Sequence, residues 1–278
     1  MPDRPELPPA RSLASLYSSP AQRHGLAALT ALEREIGASL RPGLDHQVAH
    51  TRLNWWREEC VRLTQGRPAH PLTRELAALR SPSGPAPLTE LAGLVDTAVW
   101  DLASATFETR AELTGYCERW SAAVIEPLVR LAAPAVPAPQ ARELGVPLRE
   151  LELLLALAPD ARQGRLRLPL DELERGRATP ESVAQPPWPA ELSSLVRDRH
   201  RELRAAIAAS VNALTGDTQA ALRGLIVWAA LACAQSVRAQ ALLPRASFAR
   251  DHHAPLDGWR AWRAARRADA GRGMARAA

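Results

Sequence analysis

The chain contains no lysine, so all 35 of its basic residues are arginine, a bias that carries no information about the fold. It has only two Phe and two Tyr, and few runs of Val, Ile, Thr or aromatic residues from which strands could be built. Its three cysteines, Cys60, Cys117 and Cys233, lie far apart with no CxxC. That pattern fits reduced thiols in a cytosolic compartment and excludes a disulfide framework. The longest apolar stretch is residues 224–234, well short of the roughly 20 residues that cross a bilayer. The opening residues are proline-rich and charged, without the apolar core of a signal peptide. No GxSxG elbow, Walker A loop or dinucleotide fingerprint occurs, so those enzyme classes lack support. A cytoplasmic protein is expected, soluble or peripheral at the inner face of a membrane.

The net charge of +5 sets 35 arginines against 30 acids. Residues 259–278 alone hold six arginines (Arg260, Arg263, Arg266, Arg267, Arg272 and Arg276) and one acid, Asp269. The remainder is therefore neutral, with 29 of each sign. A neutral body argues against nucleic acid as a partner, which calls for a basic stripe across the fold.

Ala, Leu, Arg and Glu dominate the composition and favour helix. Apolar residues at helical spacing predict helices over residues 21–40, 45–64, 70–79, 89–106, 108–131, 140–158, 190–214, 218–243 and 256–268, with a short one near Asp171. No interval repeats, so a solenoid is excluded. The expected class is all-α. The expected division is a proline-rich leader (1–11), one helical domain (12–245), and a loop followed by an Arg/Trp-rich helix and tail (246–278).

Three segments carry a specific pattern. The first is Arg52-Leu53-Asn54-Trp55-Trp56-Arg57-Glu58-Glu59, followed by Gly66-Arg67-Pro68 and His70-Pro71. The second joins Asp101-Leu102 to Glu112-Leu113 and Tyr116-Cys117. The third begins at Gly145 and ends in Gly164-Arg165-Leu166-Arg167-Leu168-Pro169. In this order and spacing they resemble the squalene/phytoene synthases, which condense prenyl diphosphates head to head. The resemblance implies an isoprenoid synthase-like helical bundle over most of residues 12–245.

It also implies a metal site. The family holds magnesium on two DxxxD motifs, whose i, i+4 spacing puts both carboxylates on one helix face. Magnesium bridges such carboxylates to phosphate and neutralises the leaving diphosphate. Counted from Arg34-Glu35-Ile36, the first pair of aspartates should fall at residues 37 and 41, which here are Gly37 and Arg41. Counted back from Gly164-Arg165, the second pair should fall at residues 156 and 160; Asp160 matches, but the other is Ala156. Neighbouring family positions have also changed, to Arg149, Glu152, Leu155 and Arg167. Glu152 lies two turns before Asp160, so the two acids together are the remaining metal candidates. No catalytic residue is assigned, and no cofactor is expected unless a rebuilt magnesium site operates.

Arg34, Asp101, Tyr116 and Arg165 match family positions at the prenyl cavity or its mouth; with Arg41, Glu152 and Arg167 they are the substrate-binding candidates. Trp120 stands where the family has small residues, and a Trp there would fill cavity volume. Trp55 and Trp56 are expected to anchor their helix in the core. His46 and His50 share an i, i+4 spacing but lack a third ligand nearby, and His252-His253 is expected in a loop. On the last helix, Trp259 and Trp262 are expected to pack on the bundle with arginines in water; the alternative is contact with anionic lipid. The favoured reading is a family member that has lost prenyl transfer and acts by binding a protein partner or assembling with it. One alternative is an active head-to-head prenyl diphosphate transferase with an altered magnesium site. Another is a metal-independent binder of prenyl diphosphate or lipid, using Arg41 and Arg167.

Overall fold

A computed structural model describes residues 7–41, 43–81, 84–85, 88–245 and 255–274. His252, His253, Arg276, most of the connection 246–254 and the first part of the expected leader lie outside the described residues.

The first three helices are α1 (Pro9–Leu16), α2 (Pro20–Gly37, extended by a 3-10 turn over Ala38–Leu40) and α3 (His46–Thr64). They start on strong signals. Ser19 and Gln22 form a reciprocal capping box with Pro20 behind it, and Asp45 accepts from the Gln47 and Val48 amides. Next come α4 (Pro71–Ala77), α5 (Ala92–Leu102) and α6 (Arg110–Ala132), with a two-residue antiparallel pair, Arg80–Ser81 on Gly84–Pro85, between α4 and α5. The chain continues through α7 (Ala138–Leu155), α8 (Leu157–Arg162), α9 (Leu170–Arg175), α10 (Pro180–Ala184) and α11 (Ala190–Asn212). It closes with α12 (Gly216–Ala221), α13 (Arg223–Ala241) and α14 (Asp257–Asp269). The all-α expectation holds; α1 and α10 fall where no helix is expected, and α5 is shorter than the expected 89–106.

Two expected single helices are each broken in two. Residues 140–158 split at Ala156, because Pro159 has no N–H for the Leu155 carbonyl and is tolerated only in a new first turn. Glu152 and Asp160 therefore do not share one continuous helix face. The 218–243 helix breaks at Leu222 into α12 and α13. Pro147, by contrast, sits inside α7 without ending it. The carbonyl it leaves unpaired, Glu143 O, accepts from Ser210 Oγ of α11 at 2.8 Å.

The core lies where α6 and α7 pack along each other and α11 and α13 cover them. Gly145 permits the α6–α7 approach, since a Cβ there would overlap Ser121 Oγ. The apolar run of α13, including Trp228 and Leu231, is buried in this core. Among the described residues no helix is long and apolar enough to cross a membrane.

The first and last described helices both pack on the bundle. The leader boundary at residue 11 falls inside α1, which docks on α13 and buries Arg11 to 5 % exposure. Gly224 makes room for it, as a Cβ there would overlap Ser18 Oγ. At the other end α14 is part of the bundle, but its packing face is Ala261, Ala265 and Ala268. Trp259 and Trp262 are about half exposed, at 53 % and 52 %, so the expected docking of the tryptophans is wrong. Small alanines let the helix axis approach α13, and both tryptophans keep about half of their surface in solvent.

The Arg52–His70 motif is a structural clasp. Glu59 is fully buried, and its Oε1 accepts from the Ala69 and His70 amides, both at 2.8 Å, and from Thr73 Oγ1. Its Oε2 accepts from Arg62 Nε at 2.8 Å. His70 caps α4 by accepting from the Leu72 amide, and its ring meets Trp55 and Trp56 edge-on. Trp56 is buried as expected, whereas Trp55 is 40 % exposed and lies under Arg62. Burial alone would raise the Glu59 pKa, but the hydrogen bonds from His70, Thr73, Arg62 and Ala69 hold it down to about 2. A depressed carboxyl stabilises the fold above its ordinary pKa, and the contribution is lost as pH falls through about 2. Glu59→Gln is expected to lower the stability at pH 7 by about 3 kcal/mol, and the gap from the parent to shrink to about half that at pH 3; urea unfolding at the two pH values measures it.

Candidate functional site

The centre of the bundle is occupied by a ring of opposite charges framed by two indoles. Arg11 from α1 reaches Glu33 Oε2 of α2 at 2.6 Å and Glu152 Oε2 of α7 at 3.6 Å. Arg149 of α7 lies 3.5 Å from Glu33 Oε1 and 3.4 Å from Glu152 Oε2. The remaining carboxylate lone pairs face indole N–H groups. Trp120 Nε1 of α6 donates to Glu33 Oε1 at 2.8 Å, and Trp228 Nε1 of α13 donates to Glu152 Oε1 at 3.0 Å. The Arg11 guanidinium lies over the Trp228 ring at 4.5 Å, and that of Arg149 over Trp120 at 4.9 Å. Two cations meet two anions, so the ring is neutral.

Burial disfavours the Glu33 carboxylate, but Arg11 and Arg149 more than offset it and hold its pKa near 2. Arg11 and Arg149 shift the other way: burial lowers them, yet Glu33 and Glu152 leave both above the ordinary arginine range. Arg11, Arg149 and Glu33 are therefore held in their charged forms.

A second cluster lies one helical turn along α6. Arg167 is 7 % exposed and makes a fork with Asp101, Nη1–Oδ1 at 2.6 Å and Nη2–Oδ2 at 3.0 Å. Its Nε donates to Asp160 Oδ2 at 3.1 Å, and Arg165 lies 3.5 Å from Asp160 Oδ1. Tyr116 donates to Asp101 Oδ2 at 3.2 Å and presents its ring to Arg167. Burial raises the Tyr116 phenol above its usual range and pushes the Cys117 thiol up to about 12, so neither is a ready nucleophile. Gly164, at φ +77°, reverses the chain after α8, and the Arg165 amide closes on Asp160 O at 2.9 Å.

A third cluster faces α11 and links Glu150 and Glu172 through Arg110 and Arg199. It borders a polar cavity of about 520 Å3 that also includes Arg175 and Glu202. Burial is the main reason that Glu150 is pushed up to about 7.

The structure thus brings Asp101, Tyr116, Asp160, Arg165 and Arg167 together and places Glu152 in the separate central ring. Arg34 is exposed, and its neighbour Glu33 faces the interior. Glu33 continues the buried stripe of Leu26, Leu29 and Ile36 at helical spacing, and that charge on an apolar stripe was the signal that could have found it. Gly37 is exposed with open space around it, and Arg41 is exposed with its Nε on the Ala38 carbonyl at 3.2 Å. Arg167, the other arginine of the metal-independent alternative, is buried on Asp101. The ring member Arg11 was missed because the leader was not read as helix. His46 and His50 meet each other on the surface, Nε2 to Nε2 at 3.1 Å.

The residues present do not fit a magnesium cluster. Asp160 and Glu152, the candidate pair, are held in different clusters and each faces two guanidinium groups. Among the described residues no three His, Cys, Asp or Glu side chains are grouped to hold a metal ion. A dication placed at either cluster would meet arginine charge where magnesium needs oxygen ligands. Removing one member of this largely desolvated ring leaves the rest with uncompensated charge. Glu33→Ala is expected to lower the stability by about 3–5 kcal/mol. The paired change Glu33→Leu with Arg11→Met is expected to cost less than the sum of its singles by at least about 1 kcal/mol, as a denaturation cycle would measure.

Comparison with known proteins places these features. No curated protein matches the chain. Among solved structures, a dehydrosqualene synthase crystallised with a ligand superposes with a TM-score of 0.72 at 18% identity, covering 94% of this chain and 90% of that one. The squalene synthase HpnC from Alicyclobacillus acidocaldarius superposes with a TM-score of 0.63, also at 18% identity, covering 83% of this chain and 87% of that one. These likenesses establish the fold. The sequence profile of the squalene/phytoene synthases matches residues 9–260, from the first turn of α1 into α14. The chain is a member of the squalene/phytoene synthase family.

Proposed function

We propose that this family member does not transfer prenyl groups and acts by binding or assembly. The observation that carries the reading is the arginine pairing of Asp160 and Glu152, the two acids that could have formed a metal site. The indoles of Trp120 and Trp228 support it, because they fill the space between α2, α6, α7 and α13 with side chains of this chain. Without metal at the mouth, a departing diphosphate would have no dication to neutralise it.

The binding surface under this reading is the exposed side of α14. Leu256, Trp259 and Trp262 are all more than half exposed, and tryptophan is enriched at the anchoring points of interfaces. Arg263 and Arg266 are exposed on the same helix, which also suits the edge of an anionic membrane.

Incubation of the purified chain with farnesyl or geranylgeranyl diphosphate and magnesium is expected to release no pyrophosphate above the protein-free rate. Release that disappears in Asp160→Ala would overturn the proposal in favour of an altered active site. A thermal-shift series with the same diphosphates is expected to show no stabilisation, with or without magnesium. Metal-independent stabilisation lost in Arg41→Ala would instead identify a diphosphate binder.

A further inference from the structure

The described structure has three buried arginines, and two have counter-ions. Arg11 pairs with Glu33, and Arg167 with Asp101 and Asp160. The third, Arg204 on α11, is 5 % exposed and makes no ion pair among the described residues. Its Nη1 donates to Ser236 Oγ at 2.9 Å, while its Nε is buried without any acceptor. A buried guanidinium without an anion is an expensive arrangement that a folded protein retains only for a reason.

The neighbouring titratable groups offer no counter-charge. His200 shares Ser236 Oγ at 2.9 Å and is held down to about 4, by burial first and by Arg204 second, so it is neutral. Burial pushes the Cys233 thiol up to about 12, so it carries no negative charge either. Burial likewise lowers Arg204 from the ordinary arginine value.

Arg204 opens onto a cavity of about 280 Å3 between α11, α13 and α14, room for several waters. Its apolar wall is formed by Ile226, Ala230, Ala234, Val237 and Trp259. Three more arginines, Arg260, Arg263 and Arg267, lie on the α14 side. Arg260 is paired with Asp257 at 3.2 Å, and Arg267 donates to the Gly273 and Arg272 carbonyls at 3.1 and 3.0 Å. Arg263 rests on the Trp259 ring at 4.4 Å and has no carboxylate partner among the described residues. Among the described residues the lining contains four arginines and no acid.

We infer that this cavity is a binding site for a phosphate-headed lipid, with the phosphate on Arg204 and Arg263 and the hydrocarbon along Ala230, Ala234, Val237 and Trp259. A guanidinium matches phosphate oxygens in a fork, and Arg204 lines the cavity while keeping unused donor capacity. Two unpaired arginines suit a phosphate monoester better than a singly charged carboxylate. The apolar wall distinguishes a lipid phosphate from the free ion. The site is separate from the central ring and does not depend on whether the bundle transfers prenyl groups.

Isothermal titration of the full chain with monomeric dodecyl phosphate, inorganic phosphate and neutral dodecyl maltoside tests the inference. Dodecyl phosphate is expected to bind at one site, at least tenfold more tightly than either of the others. Arg204→Met is expected to weaken that binding at least tenfold while leaving the melting temperature of the free protein equal to or above that of the parent, since it removes a buried charge without a partner. Ala230→Leu, which narrows the cavity without touching Arg204, is expected to weaken dodecyl phosphate more than inorganic phosphate, and it stands in if Arg204→Met fails to fold. Equal affinity for inorganic phosphate, equal affinity for dodecyl maltoside, no saturable binding, or unchanged binding in the variants would each overturn the assignment.

Discussion

The interaction on which the architecture depends is the pairing of buried guanidinium groups with buried carboxylates. Five helices, α1, α2, α6, α7 and α13, send charged or indole side chains into one neutral ring. In a low-dielectric interior a missing partner costs several kcal/mol, so each helix is required by the others. The pairing is geometric as well as electrostatic. Arg167 uses two nitrogens on Asp101 and its third on Asp160, which a lysine ammonium could not reproduce. In a chain without lysine, every such position is already of the forked type.

Much of the fold was legible because helix boundaries are local chemistry. Ser19-Pro20, Asp45 and His70-Pro71 each announce a start, and the structure begins a helix at each. The break at Ala156 could have been read from Pro159, but the apolar periodicity of residues 140–158 concealed it. The alanine face of α14 was harder, because hydrophobicity scales direct attention to tryptophan, whereas close helix approach selects the smaller side chain.

The site was legible in part. Motif order drew attention to Asp101, Tyr116, Asp160, Arg165 and Arg167, and they do meet around one guanidinium. Arg34 was placed inward by resemblance, although the periodicity of α2 favours Glu33. What no pattern in the sequence could supply was the pairing itself. Arg11 and Glu152 are far apart along the chain, and a one-dimensional reading sees two unrelated surface charges.

The docking of α1 has a further consequence for the interior. Arg11 behaves as a tethered ligand, a cation delivered to Glu33 and Glu152 by the chain itself. Any diffusing cation must compete with one whose effective concentration is set by a few residues of connection, on the order of millimolar or above. With α1 displaced, Arg149 alone would face both carboxylates, and the neutral centre would become acidic. The character of the bundle's interior, acidic or neutral, is thus set by the seating of one eight-residue helix.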